Sequence, residues 1–79
     1  MIIKVLGSGC KNCKKILENV TISVKELEVK AEIEYITDMM EIAGYGLLRT
    51  PGLIINEKIV SYGRVPNIEE IKEMIKEFN

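Results

Sequence analysis

The stretch Met1-Ile2-Ile3-Lys4-Val5-Leu6-Gly7-Ser8-Gly9-Cys10-Lys11-Asn12-Cys13 decides how the rest of the chain is read. Ile2, Ile3, Val5 and Leu6 crowd both faces of an extended segment, which predicts a buried strand. Gly7-Ser8-Gly9 forms a turn. Beyond it, Cys13, Ile16, Leu17, Val20, Val24 and Leu27 recur at three- and four-residue spacing, the apolar stripe of a helix from about Lys11 to Leu27. Lys14, Lys15, Glu18, Asn19, Lys25 and Glu26 fall largely on the opposite side. Cys10 and Cys13, the only two cysteines, therefore sit where a strand passes into a helix. A disulfide between them closes too small a loop to stabilise the fold much, so the pair points to chemistry, either thiol–disulfide exchange or soft-metal binding.

Downstream, Ala31, Ile33 and Tyr35 alternate with Glu32 and Glu34, which predicts a strand over residues 30–37. Asp38-Met39-Met40-Glu41 has the form of a capping box opening a short helix that Gly44 and Gly46 terminate. One of the two methionines is expected in the core and the other at the surface. Gly52-Leu53-Ile54-Ile55 and Lys58-Ile59-Val60-Ser61-Tyr62 are β-prone runs joined by Asn56-Glu57, the simplest connection being a hairpin. Asn67, with Glu70 three residues on, caps a last helix whose buried face is Ile68, Ile71, Met74, Ile75 and Phe78. Its charged residues read as a solvated face with pair contacts along the helix, and Arg64 as a solvated charge. The order is βαβαββα. The first βαβ unit is expected to be a right-handed parallel crossover and the last two strands antiparallel, with helices over both faces of a four-stranded mixed sheet.

The totals narrow the function. Seventy-nine residues, 47% hydrophobic and 29% charged, fit one soluble globular domain spanning 1–79. No run is long enough to span a membrane, and the N-terminal run is too short for a signal peptide; a cytoplasmic location is expected. A net charge of −1 with three Tyr, one Phe and no Trp gives little to hold nucleic acid or an anionic membrane. The absence of histidine removes imidazole-based nucleophile activation and the common Cys/His zinc sites.

The element order, the Cys-x-x-Cys after the first strand and Thr50-Pro51 just before the third together resemble the thioredoxin fold in its minimal, glutaredoxin-sized form. Gly7 to Cys13, Thr50-Pro51-Gly52-Leu53 and Gly63-Arg64-Val65 resemble the small thioredoxin-like redox-active disulfide proteins of archaea and bacteria. The resemblance implies an α/β, three-layer α/β/α sandwich. It also implies a cis-proline at Pro51 beside the cysteines, with Thr50 and Pro51 contacting substrate. Gly63 is placed at a turn near that site, with substrate contact as its lesser role. The chain lacks the Trp-Cys-Gly-Pro-Cys of thioredoxins and the Cys-Pro-Tyr-Cys of glutaredoxins, and Gly63-Arg64 replaces the latter's paired Gly and acidic residue; glutathione is therefore a doubtful partner.

Chemically, a helix N-terminus favours a thiolate, so Cys10 is the expected nucleophile, and Cys13, one turn in on the apolar stripe, the expected resolving thiol. Gly7 and Gly9 are expected to turn the backbone sharply and leave Cys10 open. The expectation is a monomeric protein-disulfide oxidoreductase that needs no cofactor beyond its own Cys10–Cys13 disulfide. Its electrons come from a separate reductase, since no nucleotide-binding motif is present. The alternatives are a Cys-x-x-Cys soft-metal module, a non-catalytic thioredoxin-like binding domain, and two inert buried thiols.

Overall fold

The computed structural model describes residues 1–7, 9, 11–47 and 49–78. Four strands, β1 (Ile2–Leu6), β2 (Glu32–Ile36), β3 (Gly52–Ile55) and β4 (Lys58–Tyr62), form one sheet in the order β2-β1-β3-β4. β1 pairs parallel with β2, from Ile2↔Glu32 to Leu6↔Ile36. It pairs antiparallel with β3, from Ile3↔Ile55 to Leu6↔Gly52, and β3 pairs antiparallel with β4. Three helices, α1 (Lys11–Leu27), α2 (Met39–Gly44) and α3 (Ile68–Lys76), complete the βαβαββα order, the α/β thioredoxin-like architecture expected from the sequence. The hairpin between β3 and β4 turns on Asn56 and Glu57, both left-handed at φ 48° and 71°, the pattern of a two-residue turn that matches strand twist.

Alternation along β1 and β3 sorts the core onto two faces. Ile3, Val5, Leu53 and Ile55 pack with Ile16 and Val20 of α1 and Ile71 and Ile75 of α3, all fully buried. On the other face Leu6 and Ile54 pack with Ile42 of α2, edged by Ile36, Tyr45 and Leu47. The second layer is thinner because α2 has six residues, about 9 Å of helix against about 17 Å of strand. Ile2, expected to be buried, is accordingly 38% exposed, and Ile59 is 40% exposed. Lys4 lies on this face, its ammonium donating to the Tyr45 hydroxyl at 2.7 Å and to Glu57 at 3.3 Å. Those partners, Tyr45 first, hold the Lys4 ammonium above its ordinary range against a smaller desolvation cost. Met39 and Met40 are both exposed, at 58% and 82%, so the expected core methionine is not found at either position. The start of α2 places both before Ile42, the residue that turns inward.

Asn19, expected on the solvent side of α1, is buried instead, as is Ser23. Both lie on the stripe that runs through Cys13, Ile16 and Val20, where the chain entering α3 crosses the helix. Asn19 donates its side-chain N–H to the Pro66 carbonyl at 3.1 Å, and Ser23 donates to the carbonyls of Asn19 at 2.7 Å and Ile68 at 3.3 Å. These bonds fasten α1 to the start of α3. Lys72 ties the same helices by pairing with Glu26 of α1, so that part of the α3 charge is interhelical rather than simply solvated.

At the head of α3 the expected capping box is complete: Asn67 Oδ1 accepts from Glu70 N at 2.8 Å, and Glu70 Oε1 from Asn67 N at 3.1 Å. Glu70 also pairs with Arg64, which is thus an ion-paired residue rather than a merely solvated charge. The Arg64 guanidinium first, then the Asn67 N–H, hold the Glu70 carboxyl below its ordinary value.

Two outcomes follow from these contacts. Asn19→Ala removes the donor to a buried carbonyl and should lower stability by about 1–3 kcal/mol, read as a fall in the urea midpoint. Because the Glu70 pKa is depressed on folding, its contribution is complete above the unfolded value of about 4.5 and is lost as pH falls through the folded value. The stability gap between the parent and Glu70→Gln, followed by urea melts across pH, should therefore be largest near neutrality and close in acid.

Candidate functional site

The site is built where β1 ends and α1 begins. Gly7 extends the β1–β2 ladder by one bond, its N–H donating to the Ile36 carbonyl at 2.9 Å. A Cβ placed on Gly7 would lie 2.8 Å from Cys13 Cβ and collide with Cys13 Sγ. The missing side chain of Gly7 is thus what lets the first turn of α1 settle onto the end of β1. The two glycines have separate jobs: Gly9 makes the turn at φ +87°, while Gly7 makes room. Cys13, at 0% exposure, packs against Gly7. Cys10, the expected attacking thiol, and Ser8 lie outside the described residues.

The first turn of α1 has no acidic residue, and Lys11, Lys14 and Lys15 are exposed around it. Lys15 reaches Glu18 at 3.9 Å, a surface pair of small weight. Lys11, Asn12, Lys14, Lys15 and Glu18 line a 310 Å³ cleft. The helix end and these lysines give this end of the molecule a positive cast.

Thr50 and Pro51 reach the same end by sheet register. Leu6 pairs with Gly52, so one further antiparallel step sets Pro51 opposite Gly7 on a neighbouring strand. The Thr50–Pro51 peptide bond is cis. Pro51 is buried and Thr50 partly so. Gly63, just past β4, donates its N–H to the Pro51 carbonyl at 3.0 Å and adopts φ +73°. A Cβ there would sit 3.1–3.2 Å from the Arg49 side chain, so Gly63 packs under Arg49. The fold thus gathers Cys13, Thr50, Pro51 and Gly63 at one end of the sheet. Thr50 and Arg49 also line a 180 Å³ cavity with Met39, Ile42, Ala43 and Leu47. A larger cleft of 540 Å³ lies at the far end of β1 and β2, lined by Met1, Ile2 and residues 29–32, where it holds no cysteine and is open to solvent.

Sequence reasoning missed three features here. The role of Gly7 depends on a distance. Arg49 becomes part of the site through the register of β3 and β4. Tyr35 counted only as one of the alternating residues of a strand, yet its hydroxyl oxygen lies 3.9 Å from the Cβ position of Gly9. Its place opposite Val5, at the end of the strand nearest α1, was the signal available.

The Gly7–Cys13 packing has a measurable cost. Gly7→Ala should destabilise the reduced protein by about 1–3 kcal/mol. The penalty should shrink in a Cys13→Ala background, where the sulfur is gone, a coupling visible in a double-mutant cycle of urea midpoints.

Comparison with known proteins agrees with this geometry. The Thioredoxin domain family matches residues 1–76. A thioredoxin of Methanocaldococcus jannaschii is 41% identical over 78 residues, covering 99% of this chain and 90% of the relative. A thioredoxin of Methanothermobacter thermautotrophicus is 40% identical over 75 residues, covering 95% of this chain and 97% of the relative. The chain belongs to the thioredoxin family, whose members are redox proteins of the thiol–disulfide oxidoreductase kind.

Proposed function

We propose that this protein reduces disulfide bonds in other proteins through Cys10 and Cys13. The observation that carries the reading is the position of Cys13, fully buried in the first turn of α1 and packed on Gly7. A resolving thiol has to be near its partner and shielded from outside reagents. Cys13 meets both requirements, since only Lys11 and Asn12 separate it from Cys10 in a chain already held by the helix.

In the first step the Cys10 thiolate attacks one sulfur of the substrate disulfide. An S–S bond forms between protein and substrate, the substrate's own S–S bond breaks, and the departing substrate thiolate takes up a proton. Cys13 then loses its proton and attacks the Cys10 sulfur, releasing the second substrate thiol and leaving a Cys10–Cys13 disulfide. The substrate has gained two electrons from the dithiol and two protons, one from Cys13 and one from solvent, and a separate dithiol reductase restores the starting state. The positive end of α1 and the adjacent lysines favour the thiolate in the first step. The Thr50 backbone pairs with an extended substrate segment as a short added strand, beside Pro51 and Gly63. The protein works as a monomer on protein disulfides rather than glutathione, in a reducing cytoplasm that keeps the dithiol charged.

The test is an equilibrium redox titration read by thiol alkylation and mass. One reversible two-electron transition between about −300 and −180 mV is expected, and Cys13→Ser should accumulate a mixed disulfide on Cys10. Absence of a reversible intramolecular disulfide overturns the reading; metal retained after reducing purification would then favour soft-metal binding, and a tight partner captured without disulfide exchange a binding domain.

A further inference from the structure

We infer that the exposed stripe Lys11, Lys14 and Lys15 at the head of α1 is a docking surface for protein substrates whose disulfide is flanked by acidic residues. The inference deepens the redox reading proposed above and rests on it. The three lysines stand at positions i, i+3 and i+4 of one helix, so they share a face. That face is turned away from the buried stripe of Cys13, Ile16 and Val20. All three are exposed, and with Asn12 and Glu18 they line the 310 Å³ cleft on this helix. Lys11 and Lys14 enter no ion pair among the described residues, and Lys15 reaches only Glu18, at 3.9 Å. Arg49, ahead of Thr50 and Pro51 at the same end of the sheet, adds another exposed cation.

The distribution of charge sets this cluster apart from an ordinary solvated face. The chain has more acid than base, yet all twelve acidic residues follow Leu17, while Lys4, Lys11, Lys14 and Lys15 precede it. Lys4 is taken by Glu57. On α3 the acids have cations of their own: Arg64 on Glu70, Lys72 on Glu69 and Lys76 on Glu73. Asp38 caps α2 through Met40 N at 3.0 Å, and Glu41 lies in α2, on the opposite face of the sheet from α1. Lys25, Lys30 and Lys58 also lie outside the ion pairs of the described residues, but they are scattered over the end of α1, the turn before β2 and the start of β4. The stripe is thus clustered basic surface without neutralising neighbours. A short run of carboxylates can meet it while the rest of the partner stays clear of the acidic remainder. A nucleic-acid strand carries charge all along its length and would run onto that remainder, and three Tyr with one Phe offer little stacking. Charges placed this way act on the encounter, raising the association rate for a complementary partner and losing their effect in salt. Lys14 follows Cys13 directly, so a partner held on the stripe is held at the turn that carries the buried thiol.

Three synthetic peptides with the same intramolecular disulfide, flanked on both sides by Glu, Gln or Lys, measure the preference. Reduced protein in excess is mixed with each, and a single turnover is followed by mass. At about 10 mM salt, where charges act over about 30 Å, the Glu peptide should be reduced about tenfold faster than the Lys peptide, with Gln between them. At about 1 M salt the spread should close. Taking the ratio of rates within one protein cancels any change in thiol reactivity. Lys11→Gln/Lys14→Gln/Lys15→Gln should abolish the spread. Lys25→Gln/Lys30→Gln/Lys58→Gln, which removes the same charge elsewhere, should keep it. Equal rates for the three peptides in the parent, a spread that survives about 1 M salt, or an equal loss in both triple variants overturns the proposal. If the parent reduces none of the peptides, the redox reading fails on its own account, and amide shifts then decide the surface. A Glu peptide with Ser in place of both Cys should move the ¹⁵N amide resonances of residues 11–18 in the unaltered protein, and the matching Lys peptide should not; unmoved resonances overturn the proposal. A single-stranded oligonucleotide that moves the same resonances at lower concentration than the Glu peptide assigns the surface to nucleic acid and overturns it as well.

Discussion

The end of the sheet that meets α1 depends on the close approach of Gly7 to Cys13. A helix can begin directly above the end of a central strand only if one of the two backbones gives up a side chain at the crossing. Here the strand gives it up, and the sulfur of Cys13 occupies the space. The contact fixes three things together: the height of α1 over the sheet, the burial of the second thiol, and the distance from that thiol to the strand carrying Pro51. Because the ladder bond from Gly7 to Ile36 continues past the last residue of β1, the crossing is held from below as well.

The two sides of the sheet are built to different standards. The side under α1 and α3 is a dry cluster of Ile, Val and Leu, stitched at its edge by Asn19 and Ser23. The side under α2 is short of apolar material, and Lys4 fills the gap with its stem while Tyr45 and Glu57 receive its charge. The site rests on the better-packed side: Cys13 projects from α1, and Tyr35 packs against the same cluster. Precision in the placement of a thiol is thereby tied to the part of the molecule least able to rearrange.

Much of the fold was legible in the sequence because local rules agreed with one another. The apolar stripe bounded α1 at Lys11 and Leu27 as observed, Asn67 and Glu70 marked the head of α3, and Asn56-Glu57 marked the hairpin. The failures came where position outweighed residue type. Asn19 is polar and was set on the outside, and Ser23 was assigned to neither face, although counting on from Cys13 and Ile16 places both on the buried stripe; carbonyls of a distant connection make that burial possible. Ile2 is apolar and exposed because α2 is short, and Met39 because it opens α2, ahead of Ile42, the residue that turns inward. At the site, Cys13, Thr50, Pro51 and Gly63 were recognisable from motif and order. Tyr35, Arg49 and the true task of Gly7 depend on which atoms meet across the sheet, information that sequence periodicity does not contain.

The alternation of β1 has a consequence for how this family can drift. Odd positions Ile3 and Val5 support the side that carries α1 and Cys13, and even positions Lys4 and Leu6 serve the α2 side. Substitutions on the even set act first on the α2 layer, since the sheet separates that layer from Cys13. Gain or loss of a single residue within the strand is a different event. It would exchange the two sets at once, drive the Lys4 ammonium into the α1–α3 core and move the Gly7 gap away from the sulfur. The length of five residues in the first strand is therefore a tighter constraint than the identity of most of them.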